Sequence, residues 1–367
     1  MNESEAMAVL VSAQHISYGQ RERALGDAGS ALKLLADPHA HEAALGREGI
    51  AALRAALKRA DRMLDKLYEA NVHLITSADA RYPSLLAHTA KPPHVLFCMG
   101  KEDLDDPLPV SIVGTRRADS YGLRHTRRIA RELAERDACI VSGLALGVDT
   151  AAHRGALDAN GRTVAVLGGA LDKLYPEKNR TLMEQILESG GSIVSEYPPG
   201  TAPTRYSFVQ RNRIVAGMSH GVLVAQAPHK SGALSTVNFA LEEGREVFAL
   251  PGDVDRFGSQ LPNQLIAEGA RPAACASDIL QAIQGMAQRK PVHAAAPQQI
   301  ALKPAVPVRA LDEQEQRVYD QLLSGDLDFD ALSEQTGIAG DALGSVLMML
   351  ELDGVIVSLP GPAYRLA

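Results

Sequence analysis

Six short apolar runs recur between residues 109 and 252, and segments of helical period separate several of them. In chain order the runs read PVSIVG, ACIVSG, TVAVLG, GSIVSEY, GVLVAQA and EVFALPG. Continuous apolar runs are typical of parallel strands buried on both faces, and helices between them provide the crossover connections. The pattern predicts an α/β fold with a doubly wound, mostly parallel sheet.

Regions of different character flank this alternation. Residues 1–70 place apolar side chains at spacings of three and four, which predicts a small helical N-terminal domain before an α/β domain over residues 71–285. Residues 286–310 hold four prolines and no acidic residue, which is typical of a linker. Residues 311–367 show three helical segments and then a short hairpin, the order of a winged helix-turn-helix.

Composition and cysteine usage narrow the class of protein. The chain is 46% hydrophobic and 22% charged, as in ordinary soluble proteins, and its first residues are acidic where a signal peptide is basic. No stretch approaches the roughly 20 apolar residues that a membrane span needs. Cys98, Cys139 and Cys275 lack CxxC spacing, which disfavours a zinc site or a disulfide framework. We therefore expect a cytoplasmic protein.

Charge is distributed unevenly along the chain. The net charge is −7, but residues 311–367 contain eleven acidic residues against Arg317 and Arg365 and so carry −9. The rest of the chain is therefore slightly basic, at about +2. This asymmetry predicts that a polyanion would bind outside the C-terminal domain.

Two loops rich in Gly and Ser follow predicted strands. Ser142 and Gly143 open SGLALGVD, and Ser231 and Gly232 lie in KSGALST. Backbone N–H groups at a helix N-terminus form phosphate sites, so both loops are candidate anion sites at one sheet edge. The alternative is that the glycines only serve sharp strand–helix turns. Neither GxGxxG nor GxxxxGK[ST] is present, so NAD binding is weakly supported and a P-loop ATPase is not indicated.

Cationic residues accumulate at the predicted strand ends. Arg116 and Arg117 directly follow the first strand, where side chains point into the ligand crevice of an open α/β sheet. Phe208 lies among cations and is either a stacking platform for a nucleic-acid base or a core residue. Asn212 either joins the basic groove or caps a helix that begins at IVAGM. The other cations predicted to neutralise phosphates in this groove are Lys173, Lys178, Arg205, Arg211 and Arg213.

Asp149 and His153 lie four residues apart at the start of a predicted helix. The spacing is compatible with a catalytic or metal-binding pair. We favour a local role, in which Asp149 complements the helix N-terminus and His153 makes a hydrogen bond nearby. A GxSxG nucleophile motif is absent from the sequence, so a hydrolase of that kind is not indicated.

An ordered series of motifs resembles the DNA processing protein A family, also called DprA or Smf, over about residues 75–275. The motifs are SIVGTRRADSYG, SGLALGVDTAAHRGAL, TVAVLGGALDKLYPEKNRTL, GGSIVSEYPPGTAP, FVQRNRIVAGMSHGVLVAQAPHKSGALSTVNFALEEGREVFALPG and NQLIAEGA. The C-terminal segment resembles the winged helix often appended to that family.

The resemblance implies an extended Rossmann-like domain that dimerises, binds single-stranded DNA and loads the RecA recombinase onto incoming DNA during natural transformation. It implies no enzymatic activity and no cofactor. Residues that match the family's motifs would line the DNA groove: Arg116, Arg205, Phe208, Arg211, Asn212 and Arg213. Polar or backbone contacts would come from Ser142, Gly143, Ser231 and Gly232.

The sequence departs from the family pattern in two places. HISYGQRERALGDAGSALKLL lacks the Gly-x-Gly turn that is usual in the family's N-terminal region, so no DNA contact is expected there. The predicted recognition helix of the winged domain, GDALGSVLMMLELDG, holds no Lys or Arg. An acidic domain would be repelled by phosphates, which favours a protein-interaction or autoregulatory module.

Two other functions are compatible with the fold. One is a nucleoside 5′-monophosphate phosphoribohydrolase of the LOG type, with Glu196 as catalytic acid, although LGGALDKLYP lacks that group's Gly-Thr and Glu. The other is a scaffold with a vestigial crevice, whose acidic tail recruits partners. Release of adenine from AMP would identify the enzyme, and binding of single-stranded DNA would identify the DNA-binding protein.

Overall fold

The computed structural model describes residues 1–287, 311–322, 327–353, 355–358 and 363–366. These residues fall into two compact units, one within Met1–His293 and one within Ala294–Ala367. The predicted linker over residues 286–310 lies outside the described residues, apart from its first two positions, which end a helix. No helix in the described ranges is long and apolar enough to cross a bilayer.

Helices occupy the first part of the first unit. They are α1 (Glu3–Ser12), α2 (Tyr18–Ala28), α3 (Ala31–Ala36), α4 (Glu42–Leu57) and α5 (Ala60–Glu69). The side chains of Asn2 and Ser17 accept backbone N–H bonds in capping boxes, which fixes where α1 and α2 begin. Leu64 and Leu67 of α5 pack in one apolar cluster with Phe97 of the sheet, so these helices rest on the α/β layer.

Nine strands of the described first unit form one sheet. They are β1 (His73–Thr76), β2 (Val95–Gly100), β3 (Pro109–Gly114), β4 (Cys139–Ser142), β5 (Thr163–Val166), β6 (Ser192–Ser195), β7 (Gly221–Gln226), β8 (Glu246–Ala249) and β9 (Arg271–Pro272). Their order is β1-β2-β6-β5-β4-β3-β7-β8-β9, and all pairs from β6 to β9 are parallel. The six predicted strands and the mostly parallel sheet are confirmed.

Strand order places the ligand crevice. From β3 the chain adds β4, β5 and β6 on one side, and it then returns to place β7 on the other side of β3. The direction of winding therefore switches beside β3, and open α/β sheets bind ligands at such a switch, beyond the carboxyl ends of the strands. β2 pairs antiparallel with β6, so β1 and β2 extend the sheet away from this point.

Helices cover both faces of the sheet. They are α6 (Ser84–Ala87), α7 (Ser120–Ala134), α8 (Val148–Asp158), α9 (Arg180–Glu188), α10 (Arg205–Gly217), α11 (Ala233–Glu242), α12 (Gln260–Ala267) and α13 (Ala276–Ala287). Alternate residues of β3 point to opposite faces. Ile112 packs with Ile129 of α7, whereas Val113 packs with Ile214 of α10 and Val237 of α11.

The second unit has the expected winged-helix organisation. Its elements are α14 (Glu313–Leu322), β10 (Leu327–Asp328), α15 (Phe329–Thr336), α16 (Gly340–Leu352), β11 (Ile356–Ser358) and β12 (Ala363–Leu366). The three strands pair in the order β10-β12-β11. Val318, Leu332, Leu347 and Ile356 lie in one apolar core, which joins the three helices to the strands.

Candidate nucleic-acid interface

Four segments of the first unit meet in a small pocket at the carboxyl edge of the sheet. Arg116 follows β3, Gly143 follows β4, Tyr175 lies in the segment after β5, and Phe208 lies in the first turn of α10. Residues of these segments line a cavity of about 30 Å³. The fold thus brings Arg116, Gly143 and Phe208 together, as the sequence predicted.

A cation and two aromatic rings form the exposed wall of this pocket. The guanidinium carbon of Arg116 lies 5.0 Å from the centroid of the Phe208 ring, within the range of a cation–π contact. The ring of Tyr175 lies 5.6 Å from that of Phe208, tilted by 46°. Arg116 is exposed, and Tyr175 is 52% exposed. The wall therefore offers flat apolar surface and positive charge to a ligand from solvent.

The start of α10 fixes the position of Phe208. Thr204 is the N-cap and exchanges hydrogen bonds with Ser207 in a capping box, at 3.0 and 2.8 Å. The hydroxyl of Ser207 also donates to the carbonyl of Gly168, in the loop after β5. The first turn of the helix is thereby tied to the sheet, which holds the aromatic ring at the pocket.

The loop that contains Gly143 is held in an uncommon conformation. Leu144 has a φ of +54°, a region that residues with side chains rarely adopt. The carboxylate of Asp149 accepts the N–H groups of Gly143 at 3.1 Å and Ala145 at 3.3 Å. The buried amide of Asn179 donates to the carbonyl of Leu144 at 2.8 Å. These bonds preorganise the loop, as is typical of functional sites.

Arg211 supports the same loop from inside the protein. Its side chain is 4% exposed, and its guanidinium donates to the carbonyls of Gly143, at 2.6 Å, and Val166. Burial lowers the pKa of Arg211 and raises the pKa of Asp149, while the attraction between the two charges offsets part of each effect. Nη1 of Arg211 is thus committed to carbonyl oxygens inside the protein, although the residue also lines the small pocket, and its contact with a phosphate stays a prediction.

Arg213 and Asn212 are also bound within the chain. Arg213 donates to the carboxylate of Glu196 and to the carbonyl of Lys91 at 3.0 Å. Asn212 donates to the Ser235 hydroxyl at 2.9 Å and lies inside α10, so of its two alternatives the helix cap is wrong. The Glu196 carboxylate is already paired with Arg213. A LOG-type enzyme would use this same carboxylate as its catalytic acid.

The Ser and Gly residues of the two loops differ in their placement. Ser142 is buried, and its hydroxyl donates to the carbonyl of Ile112 at 2.7 Å, so it presents no free hydroxyl. Ser231 accepts the N–H of Ala233 at 3.3 Å, and the carbonyl of Gly232 accepts from the side chain of Asn212 at 3.3 Å. This second loop thus borders α10 and lies outside the lining of the small pocket.

Besides Arg116, four of the predicted cations are exposed. Arg117, Lys173, Lys178 and Arg205 all have solvent-accessible side chains, and none forms an ion pair with another described residue. Arg205 is the first residue of α10, three positions before Phe208. These side chains are free to approach a polyanion without breaking an internal contact.

Sequence reasoning missed several residues that line the pocket. Tyr175 and Pro176 line it beside Phe208, and Ala145 and Leu146 line it beside Gly143. An aromatic residue beside a proline in DKLYPEKN, downstream of a strand that ends in two glycines, is a signal that could have indicated Tyr175. Ala145 and Leu146 carry no such signal in the sequence, because only the conformation of their loop brings them to the pocket.

Asp149 and His153 have local roles, as favoured from the sequence. Nδ1 of His153 lies 2.7 Å from the hydroxyl of Thr163, and burial lowers the pKa of this imidazole to about 3. His153 is therefore neutral at physiological pH. Within the described ranges, no group of three or more His, Cys, Asp or Glu side chains has the arrangement of a metal site.

Comparison with known proteins agrees with the fold and the motifs. Residues 73–284 match the family model described as DNA recombination-mediator protein A, and residues 303–362 match the DprA winged helix domain. Protein Smf of Escherichia coli is 37% identical over 305 residues, which cover 82% of this chain and 79% of that protein. DNA processing protein DprA of Bacillus subtilis is 37% identical over 60% of this chain and 74% of its own length.

Two solved structures of DprA proteins are similar to parts of this chain. The X-ray structure of DprA from Streptococcus pneumoniae has 34% identity and a TM-score of 0.66, covering 76% of this chain and 97% of that one. DprA from Helicobacter pylori, solved for its single-stranded DNA binding mode, has 35% identity and a TM-score of 0.51, covering 56% and 93%. With a family model that matches more than half of its residues, the chain belongs to the DNA recombination-mediator protein A (DprA/Smf) family.

Proposed function

We propose that this protein binds single-stranded DNA at the small pocket. One base stacks on the face of Phe208, and Arg116 neutralises the adjacent phosphate. The observation that carries this proposal is the contact between these two side chains, with the guanidinium carbon 5.0 Å from the ring centroid at an exposed sheet edge. An aromatic face beside a cation suits unpaired bases, because a base inside a duplex cannot expose its π-face.

In this proposal some of the surrounding residues approach the strand directly, and others only support the structure of the site. Arg117, Lys173, Lys178 and Arg205 contribute positive charge to the path of the strand, since their side chains are exposed. Arg211, Asn212, Arg213, Ser142, Ser231 and Gly232 act indirectly, because their polar groups hold the loops and α10 in place. The relative from Helicobacter pylori, solved for its single-stranded DNA binding mode, supports the choice of ligand.

Substitution of Phe208 tests the stacking role. We expect Phe208→Leu to weaken binding of fluorescein-labelled oligo-dT by about 5-fold to 160-fold, because stacking of one base is worth roughly 1–3 kcal/mol. Tyr206→Leu is the matched control, since Tyr206 is an exposed aromatic residue on the same helix that does not line the pocket. Fluorescence anisotropy measures both. Equal affinities of Phe208→Leu and the wild type would contradict the proposal.

Family membership supports a wider role in natural transformation. We propose that the protein acts as a homodimer without chemistry of its own, protects incoming single strands and loads RecA recombinase onto them. The acidic second unit, whose helix α16 holds no Lys or Arg, then serves as a protein-interaction or autoregulatory module. The onset of RecA-dependent ATP hydrolysis on single-stranded DNA tests the loading step. Addition of the wild-type protein should shorten the lag, and Phe208→Leu should not.

A further inference from the structure

A second and much larger groove lies over the outward faces of α7 and α8. Its volume is about 930 Å³, compared with about 30 Å³ for the pocket at Phe208. Six arginines and Lys178 line it, against a single carboxylate, that of Asp158. A solvated helix surface normally mixes charges of both signs, so this excess of cations indicates an anionic ligand.

The two helices that line the groove pack closely against each other. A Cβ atom at Gly155 of α8 would lie only 2.3 Å from the backbone oxygen of Arg127 in α7, so only glycine permits this approach. Arg124, Arg127 and Arg131 occupy one face of α7 at spacings of three and four residues. Arg154 comes from α8, so cations from both helices border the same groove.

Two arginines of these helices lie outside the ion pairs that the described residues form. Arg127 pairs with Asp158, Arg128 with Glu132 and Arg131 with Glu135. Arg124 and Arg154 are exposed, and neither makes an ion pair or a side-chain hydrogen bond with the residues that the structure describes. One of the two lies on each helix, so both helices offer the groove an arginine outside these ion pairs.

The groove is continuous with the pocket. Arg116 and Leu146 line both cavities, so a chain that leaves the ring of Phe208 past Arg116 enters the groove directly. Seven residues of helix separate Arg124 from Arg131, which corresponds to about 10 Å at a rise of about 1.5 Å per residue. That length exceeds the separation of neighbouring phosphates in an extended single strand, so the groove accommodates more than one phosphate.

We propose that the groove between α7 and α8 is an extended track for the phosphate backbone of a DNA strand whose base is stacked at Phe208. Arg124 and Arg154 each bind one phosphate. This inference rests on the proposed function, because it concerns the same strand beyond the pocket. The ligand is recognised here by charge alone, so the track is independent of base sequence.

Oligo-dT of two lengths separates the pocket from the track. A dinucleotide of two thymidines occupies only the pocket, and an oligonucleotide of about 20 residues also reaches the groove. We expect the double variant Arg124→Ala/Arg154→Ala to weaken binding of the long oligonucleotide about tenfold. Its salt dependence, the slope of log K against log salt, should fall by about 1.4, the value for two lost phosphate contacts. Affinity for the short oligonucleotide should stay at the wild-type value.

Two control variants test whether the loss depends on position in the groove and on charge. Arg47→Ala/Arg62→Ala removes the same charge from exposed positions of the N-terminal helices, and we expect it to leave the salt slope at the wild-type value. Arg124→Lys/Arg154→Lys keeps the charge and should restore the slope.

The outcomes distinguish the two proposals. The track is refuted if Arg124→Ala/Arg154→Ala binds the long oligonucleotide like the wild type, or if it loses affinity equally for both lengths. If the wild-type protein binds neither length, the proposed function itself fails.

Discussion

The guanidinium of Arg211 occupies the space that a side chain at position 143 would need. A Cβ atom at Gly143 would lie 2.5 Å from the Cζ atom of Arg211, and the same guanidinium donates to the Gly143 carbonyl at 2.6 Å. A glycine in one motif and an arginine in another therefore form a single structural unit. This unit positions the loop beside Phe208 without contributing a free charge to the surface.

Substitution of Gly143 should destabilise the first unit. Gly143→Ala forces the buried guanidinium to move, and overpacking of this kind costs about 1–3 kcal/mol. In a unit of this size we expect the melting temperature to fall by roughly 2–4 °C for each kcal/mol. Thermal unfolding followed by circular dichroism measures the change.

Gly232 provides the matched control for this substitution. A Cβ atom there meets nothing within 4 Å, so Gly232→Ala should change the free energy of unfolding by less than about 0.5 kcal/mol. Equal melting temperatures for the two alanine variants would show that the Gly143 loop adapts and that the close approach to Arg211 is unimportant.

Removal of the buried charge at position 211 should lower the free energy of unfolding by more than Gly143→Ala does. Arg211→Met leaves two carbonyl groups without donors and the buried Asp149 without its opposing charge, which predicts a loss of about 3–5 kcal/mol. Arg211→Lys, which keeps the charge but not the planar fork, should lie between this variant and the wild type.

The Arg211→Met deficit should depend on pH. Without Arg211, burial raises the pKa of Asp149 further above its unfolded value. The folded state then binds a proton more readily than the unfolded state, so its stability recovers as the pH falls toward that raised pKa. Urea unfolding should show a smaller difference from the wild type at about pH 5 than at about pH 8. A difference that is constant over this range would refute the coupling between the two groups.

His153 should make the protein sensitive to mild acid. Its pKa in the folded state is about 3, below the ordinary value of 6.5, because the imidazole is buried. The unfolded state therefore binds a proton first, and stability is lost as the pH falls below about 6.5. Protonation of His153 in the unfolded state should lower the free energy of unfolding by about 2 kcal/mol between about pH 7 and pH 5. His153→Gln should show a flatter pH profile of unfolding by that amount, and an unchanged profile would contradict it.

The acidic second unit should not strengthen DNA binding. Deletion of residues 311–367 removes a net charge of −9 and leaves a remainder of about +2. We expect the affinity for oligo-dT at low salt to be unchanged or higher, because repulsion of the phosphates is removed. Anisotropy titrations of the full chain and the truncated chain test this. A tenfold loss of affinity would show that the winged unit contacts DNA after all.

The parallel core of the fold was predictable from local sequence. β3, β4, β5, β6, β7 and β8 are continuous apolar runs, since each is buried on both faces of the sheet. The edge strands were not specified in the same way. β1 pairs with only one neighbour and β9 has two residues, so neither shows a distinctive apolar pattern.

The site was predictable in its location but not in its internal contacts. Arg116 and Phe208 follow from their positions at a strand end and among cations. The partners of Arg211 and Arg213 are remote in sequence. Arg211 binds the carbonyls of Gly143 and Val166, and Arg213 binds the carboxylate of Glu196. Local sequence shows that two arginines need anions or acceptors, but only tertiary packing decides which groups satisfy them.

The most direct test of the roles of Arg116 and Phe208 is the salt dependence of oligo-dT binding. It is compared among the wild type, Arg116→Ala and Phe208→Leu. We predict that Arg116→Ala lowers the slope of log K against log salt by about 0.7, the value for one lost phosphate contact. Phe208→Leu should lower the affinity at every salt concentration and leave the slope unchanged, because stacking releases no counterions. A wild-type slope near zero, or the same slope in Arg116→Ala as in the wild type, would contradict the assignment of a phosphate to Arg116 beside Phe208.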